Sequence, residues 1–108
     1  MKILITTEHP NSNDAQTLKL VSDRVTLALA EVRDQIAFTE VHLSNNQEAT
    51  VGRQDLHCFI EARFRGRQPM LVAHQAASVD SAVAGALGSL LRVIECALAR
   101  SRSQASYV

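Results

Sequence analysis

The feature that most constrains this chain is the alternation of apolar and polar residues in LHCFIEARF, residues 56–64. Side chains of an extended strand point to opposite faces in turn, so an apolar residue at every second position predicts a strand with one buried face. The apolar positions are Leu56, Cys58, Ile60, Ala62 and Phe64. The residues between them belong to the other face of the predicted strand.

Three further segments favour strands. KILITT, residues 2–7, alternates with Ile3 and Ile5 on one side, and IAFTEVHL, residues 36–43, is a second strand. The inward residues predicted for this second strand are Ala37, Thr39, Val41 and Leu43. RGRQ then joins residues 56–64 to a fourth strand that starts at Pro69, which favours an edge position because proline has no N–H. Its inward face is either Met70 with Val72 or Leu71 with Ala73.

Two segments have helical periodicity. The first runs from about residue 15 to 33, with Asn13 or Asp14 as its cap, and its apolar positions are Leu18, Val21, Val25, Leu29 and Val32. The second runs from about residue 79 to 100, with Ser78 as its cap and Asp80 in its first turn. Its predicted core face is Val83, Leu87, Leu90, Ile94 and Leu98. Gly85 and Gly88 interrupt this helix, which suggests a close approach by the sheet or by another chain.

The resulting order is strand, helix, strand, strand, strand, helix. One four-stranded mixed sheet can cover the apolar surfaces of both helices, so we expect an α+β two-layer sandwich with the two helices on one face. The first two strands should be parallel neighbours, and the second to fourth an antiparallel meander. We expect one domain over residues 1–102, a flexible tail over 103–108 and a long loop from Ser44 to Asp55.

Composition limits the function. No apolar run approaches the ~18 residues of a membrane span, and no signal peptide is evident, so we expect a cytoplasmic protein without a membrane partner. Cys58 and Cys96 both lie in apolar segments, where buried free thiols are expected. The histidines and cysteines lack the paired spacing of a zinc site, and no glycine-rich phosphate loop is present. We therefore predict no metal, no cofactor and no catalytic residues.

The charge is zero overall but unevenly distributed. Residues 1–52 have four Lys/Arg against seven Asp/Glu, and residues 53–108 have seven against four. The candidate nucleic-acid-binding residues are Arg65, Arg67, Arg92, Arg100, Arg102, Lys19 and Arg24. Each group also has a structural explanation: a soluble turn for Arg65 and Arg67, compensation of the helix dipole for the three arginines near the C-terminus, and a solvated helix face for the other two.

The sheet face away from the helices is the other candidate site. Its predicted apolar residues are Leu4, Phe38, Phe59 and Leu71, and contiguous exposed apolar surface usually marks an interface. Phe59 could instead stack on a nucleobase, but the face lacks the basic surround that such binding needs. Self-association is therefore favoured.

Several motifs resemble one family. These are HLS at residues 42–44, C-x-I-E-A-R at 58–63, G-R-x-P at 66–69 and the helix that begins at Asp80 and continues with alanines. Together they resemble the short ribosome-associated proteins of the hibernation-promoting factor and RaiA type, also called sigma-54 modulation proteins. The resemblance implies a β-α-β-β-β-α domain, similar to double-stranded-RNA-binding folds, in the messenger and transfer RNA channel of the small ribosomal subunit. The sequence departs from the family in its sparsely basic last helix and in Ser81, where an aromatic residue is common.

Two functions from different classes follow. The first, implied by the resemblance, is a ribosome-associated regulator of translation under stress that binds ribosomal RNA of the small subunit. The second is a non-catalytic protein-interaction module, homodimeric through the open sheet face, in which the RNA-binding surface is weakened or lost.

Overall fold

The computed structural model describes residues 1–7, 15–45 and 56–105, and in these ranges the strands and helices follow the predicted order. The strands are β1 (Lys2–Thr7), β2 (Ile36–Asn45), β3 (Leu56–Phe64) and β4 (Met70–Ala76), and the long helices are α1 (Ala15–Ala28) and α2 (Val79–Ala105). A 3₁₀ helix, Ala30–Gln35, connects α1 to β2. The predicted caps Asn13 and Asp14, and most of the predicted loop, lie outside the described residues.

The four strands form one mixed sheet in the order β1-β2-β3-β4. β1 is parallel to β2, with Ile5 opposite Val41, whereas β2–β3 and β3–β4 are antiparallel. Both helices pack on one face, where side chains from α1, α2 and the sheet form a single apolar cluster. The predicted fold class, an α+β two-layer sandwich with two helices on one face of a four-stranded mixed sheet, is confirmed.

β3 lies at the centre of this cluster and follows the predicted alternation. Its five inward residues, from Leu56 to Phe64, are at most 5% exposed, whereas Phe59 on the other face is 38% exposed. On β4 the structure decides between the two possible inward pairs. Val72 is buried and Met70 packs against the core, while Leu71 is 67% exposed. The inward residues of both strands therefore face the helices, and the intervening residues face away from them.

The inward set predicted for β2 is wrong at one position. Ala37 is exposed and Ile36 is buried, because the register with β3 shifts between Ile36 and Phe38. This β-bulge gives β2 one extra residue, so the alternation changes phase there. Thr39, Val41 and Leu43 are buried as predicted. Thr39 is also the buried polar residue of the core, and its hydroxyl has no hydrogen-bond partner among the described residues.

The first helix is shorter than predicted. α1 ends at Ala28, and the chain then tightens into the 3₁₀ helix, where the Val32 N–H donates to the Leu29 carbonyl (3.1 Å). Residues three apart align on a 3₁₀ helix, so Leu29 and Val32 both reach the core. Four of the five predicted apolar positions, Val21, Val25, Leu29 and Val32, therefore belong to the core or pack against it, whereas Leu18 is only half-buried.

α2 begins as predicted and ends later. The Ser81 N–H donates to the Ser78 hydroxyl (3.2 Å), which confirms the cap, and Asp80 lies in the first turn. The predicted core face is buried, with Leu98 packed at its margin, but the helix continues five residues past Arg100 to Ala105. Part of the predicted flexible tail is thus helical, and the last three residues lie outside the described part of the chain.

The two glycines of α2 have different surroundings. A Cβ at Gly85 would overlap the imidazole ring of His74, a residue of β4 that lies against α2. Close approach by the sheet therefore explains Gly85. A Cβ at Gly88 would meet no atom of the described residues within 4 Å, so packing does not explain that glycine.

By length and composition alone, the segment Val79–Arg100 of α2 is long and apolar enough to cross a membrane. The expectation that no apolar segment approaches the length of a membrane span is therefore wrong for α2. The segment is apolar on average because its alanine, leucine and valine residues outnumber the charged residues Arg92 and Glu95. The observation is weak evidence for a membrane, since core helices meet the same criterion. In this fold, one side of α2 packs against β3 and β4.

Candidate nucleic-acid interface

The turn between β3 and β4 presents two candidate arginines. Gly66 has φ +73°, a conformation that favours glycine, and it allows the chain to reverse between Arg65 and Arg67. The Arg65 N–H donates to the Gln35 carbonyl (3.0 Å), and the Arg67 N–H donates to the Phe64 carbonyl (3.3 Å). The Arg67 guanidinium then donates to the Ala97 carbonyl of α2 (3.4 Å). Arg67 therefore links the turn to the C-terminal half of α2.

A groove of about 420 Å³ lies between this turn and α2. Arg92, Cys96 and Arg100 are spaced by four residues, so they lie along one side of the helix and line the groove together. Its lining residues are Gln68, Pro69, Met70, Arg92, Val93, Cys96, Ala97 and Arg100, none of which is acidic. We call this feature the arginine groove. It brings the side chains of Arg92 and Arg100 beside the turn that carries Arg67.

Helix-dipole compensation does not explain these two arginines. The dipole acts mainly on charges in the last turn of a helix. Because α2 ends at Ala105, Arg92 lies more than three turns, and Arg100 more than one turn, before that end. Arg92 contacts the Ser89 hydroxyl (3.4 Å), and no ion pair joins either arginine to a described acidic residue. Both guanidinium groups thus remain available for an anionic partner.

The acidic residues that could dilute the basic surface lie elsewhere. Asp80 pairs with Arg24 (2.7 Å) at the N-terminal end of α2, and Glu61 pairs with Arg63 (3.4 Å) on the open sheet face. Glu95 is exposed on α2 but does not line the arginine groove. The convergence of arginines at the groove is therefore not offset by acids in its wall.

The structure separates the seven candidate residues into groups. Arg24 lies by Asp80, roughly 30 Å along the axis of α2 from Arg100, and Lys19 is exposed on the same helix, α1. These two residues form a separate basic site at best. Arg65 belongs to the turn, and Arg102 belongs to α2, but its side chain lies outside the described part of the structure.

The expectation that both cysteines are buried is wrong for Cys96. Cys58 is fully buried on β3, and burial raises the pKa of its thiol to about 12, which makes it unreactive at neutral pH. Cys96 is exposed in the arginine groove. Sequence analysis did not predict the exposure of Cys96 because the surrounding residues of α2 are apolar. The available signal was its four-residue spacing from Arg92 and from Arg100, which places all three side chains on one side of the helix.

The four residues predicted for the open sheet face all lie there. Leu4 and Leu71 are 45% and 67% exposed, and Phe38 and Phe59 are partly exposed between them. The Phe59 ring lies 6.2 Å from the His57 ring in a nearly parallel orientation and 6.3 Å from the tilted His42 ring. Glu40 also lies on this face, directly opposite Glu61 across β2 and β3. Only the strand register reveals this pair.

The described histidines and the Cys58 thiol are dispersed over the fold. Among residues 1–7, 15–45 and 56–105, no group of three histidine, cysteine or acidic side chains could hold a metal ion. Histidines 42 and 57 lie on the open sheet face and His74 lies against α2, whereas the Cys58 thiol lies in the core.

Comparison with known proteins supports the fold. No protein-family model matches the sequence, and no curated protein matches it. Among solved structures, a ribosomal subunit interface protein from Coxiella burnetii superimposes with a TM-score of 0.72 at 13% sequence identity. The match covers 92% of this chain and 99% of the other. The chain therefore has the same fold as that protein along nearly its whole length.

Proposed function

We propose that this protein is a cytoplasmic, non-catalytic, ribosome-associated regulator of translation under stress that binds ribosomal RNA of the small subunit through the arginine groove. The observation that carries the proposal is a groove that Arg92 and Arg100 line without an acidic residue, with the Arg67 guanidinium bound to the carbonyl of Ala97 in its wall. Guanidinium groups bind phosphates through paired N–H donors. The shared fold with a protein described as a ribosomal subunit interface protein supports the ribosome association.

The net charge of zero favours a local mode of binding. A uniformly basic protein binds nucleic acid non-specifically through many phosphate contacts. This chain concentrates its contacts on one side of α2, while Arg24 and Arg63 are engaged with carboxylates elsewhere. We therefore expect few phosphate contacts and a shallow salt dependence.

Co-sedimentation with purified small and large ribosomal subunits tests the proposal. The informative variant is Arg92→Ala/Arg100→Ala, and Lys19→Ala/Arg24→Ala is its matched control, with the same charge change far from the groove. We expect the wild type and the control to bind small subunits and the groove variant to bind at least about tenfold more weakly. For the groove variant, the slope of log K against log salt concentration, measured between about 50 and 200 mM, should be shallower than that of the wild type by about one to two units.

The control also locates the site if the groove is not used. Loss of binding in Lys19→Ala/Arg24→Ala alone would move the RNA-binding site to α1. No binding of the wild type at low salt, or binding that high salt leaves unchanged, would contradict an RNA-binding function.

Cys96 provides a footprint of the complex within the groove. Bound RNA should slow alkylation of the exposed Cys96 thiol, whereas Cys58 is buried in both states and reports any unfolding. Small subunits preloaded with messenger and transfer RNA should not protect Cys96 if the protein occupies their channel. Equal protection by empty and preloaded subunits would place the protein elsewhere on the subunit.

A further inference from the structure

The open sheet face has its charges arranged in neighbouring rows that run across the strands. The register places Lys2 beside Phe38, and Phe38 beside Arg63. We call these three residues the basic row. The next row toward the other end of the sheet consists of Leu4, Glu40, Glu61 and Leu71, which we call the acidic row. A third row contains His42 and Phe59.

The acidic row is unfavourable in an isolated chain. Glu40 and Glu61 are directly opposite each other on adjacent strands, and like charges in that position are destabilising. Both are partly shielded from solvent, and Glu40 has no ion pair with a described residue. Leu4 and Leu71, at the two ends of the row, are among the most exposed large apolar side chains. A partner that brings cations and apolar groups over this row would relieve both problems.

The basic row supplies matching groups. Arg63 lies with its guanidinium carbon 5.9 Å from the centre of the Phe38 ring and its Nε 3.4 Å from the Glu61 carboxylate. It is 58% exposed and therefore accessible to a second carboxylate. Lys2, at the other end of the row, is also exposed. One face thus contains two cations and two carboxylates in adjacent rows.

We propose that this face is the interface of a homodimer in which the basic row of each copy lies over the acidic row of the other. A two-fold axis that crosses the strands between the two rows produces this arrangement. Because of this symmetry, Arg63 of each copy contacts Glu61 of the other copy, so the same contact forms twice. The apolar side chains of Leu4 and Phe38 are then enclosed near the axis. Charge complementarity fixes the register, and apolar burial supplies affinity.

Nucleic acid is a poorer occupant of this face. Phe59 presents an aromatic ring, but the adjacent acidic row would repel a phosphate backbone. The face also lies opposite the helices, so it leaves the arginine groove open. The homodimer does not depend on the proposed function, and a dimer could occur whether or not the protein binds ribosomes.

Charge exchange tests the interface. Arg63→Glu places two carboxylates together at each symmetric contact, and Glu61→Arg places two guanidinium groups together. We expect each variant to dimerise at least about tenfold more weakly than the wild type in sedimentation velocity. When the two variants are mixed, both contacts again join a cation to a carboxylate, so a heterodimer should form. Arg33→Glu, which has the same charge change outside this face, should dimerise like the wild type.

Each outcome has a defined meaning. A wild type that stays monomeric at high concentration, single variants that dimerise normally, or a mixture that remains monomeric would overturn the interface. Recovery in the mixture excludes misfolding as the cause of the single-variant defect. Both variants should still co-sediment with small subunits if the groove binds RNA, so failure of the dimer and failure of the proposed function are distinguishable.

Discussion

The two faces of β3 show how one strand serves two purposes. Ile60 is fully buried against the helices, whereas its neighbour Phe59 is 38% exposed on the open face. The inner positions are constrained by packing, since a close-packed core accepts only apolar side chains of suitable volume. The outer positions are free of that constraint. A pattern there that does not help folding, such as Glu40 opposite Glu61, is therefore a better indication of recognition than anything in the core.

A similar contrast runs along α2. Its inner side contains Ala82, Ala86 and Leu90, which are fully buried against the sheet. Its outer side presents Arg92, Cys96 and Arg100 to solvent. Here too, the shielded side determines where the helix lies, and the solvent side determines what can bind to it.

The two cysteines give the largest expected difference between shielded and open positions. With the pKa of Cys58 raised to about 12, its thiolate is ~10⁴-fold rarer than the thiol at pH 8, and burial also blocks the reagent. In native protein, iodoacetamide should alkylate Cys96 at least about a hundredfold faster than Cys58, as measured by peptide mass spectrometry. In denaturing urea the rates should become similar. Equal rates in native protein would mean that the inner face is open to solvent.

Ile60 and Phe59, which are neighbours on β3, allow the inner and outer faces to be compared by the free energy of unfolding. Ile60→Ala removes buried methyl groups and leaves a cavity, so it should lower the free energy of unfolding by about 2–5 kcal/mol. Phe59→Ala should cost about 1 kcal/mol or less in dilute protein, where the open face has no partner. Urea denaturation monitored by circular dichroism gives both values. Similar losses for the two variants would contradict the assignment of inner and outer faces.

The sequence was sufficient for the layer architecture because apolar spacing reports directly on burial. It specified the inner residues of β3, the core face of α2 and the cap at Ser78. It failed where backbone geometry departs from a regular repeat. The bulge at Ala37 and the change to a 3₁₀ helix after Leu29 have no single-residue signature and depend on pairing with β3 and on the core.

The sequence was sufficient to identify candidate residues, but not to show which of them lie together in the fold. Sequence analysis identified Arg67, Arg92 and Arg100, but a contact between a turn and a helix thirty residues away requires the fold. The same is true of Glu40 and Glu61, which become neighbours only through the register of β2 with β3. Cys96 was misassigned because apolar neighbours on a helix do not all face the core.

Thr39 is an exception on the inner face, because it is polar. Its hydroxyl is buried without a partner among the described residues, and such a group costs about 1–3 kcal/mol. Thr39→Val has nearly the same shape and removes the hydroxyl, so it should raise the free energy of unfolding by about 1 kcal/mol. Thr6→Val, at an exposed position of β1, is the control and should change it by less than about 0.5 kcal/mol. A loss of stability in Thr39→Val would indicate that the hydroxyl is bonded.

The smallest expected effect distinguishes the two glycines of α2. Gly88→Ala should raise the free energy of unfolding by up to about 1 kcal/mol, because alanine favours the helix and the added methyl group meets no described atom. Gly85→Ala has the same intrinsic advantage, but its methyl group would overlap the His74 ring, so the gain should vanish or reverse. In a His74→Ala background the obstruction is absent, and Gly85→Ala should then stabilise about as much as Gly88→Ala. Thermal unfolding of the four variants measures these differences. An equal gain from both glycine substitutions while His74 is present would show that β4 does not hold this ring against α2.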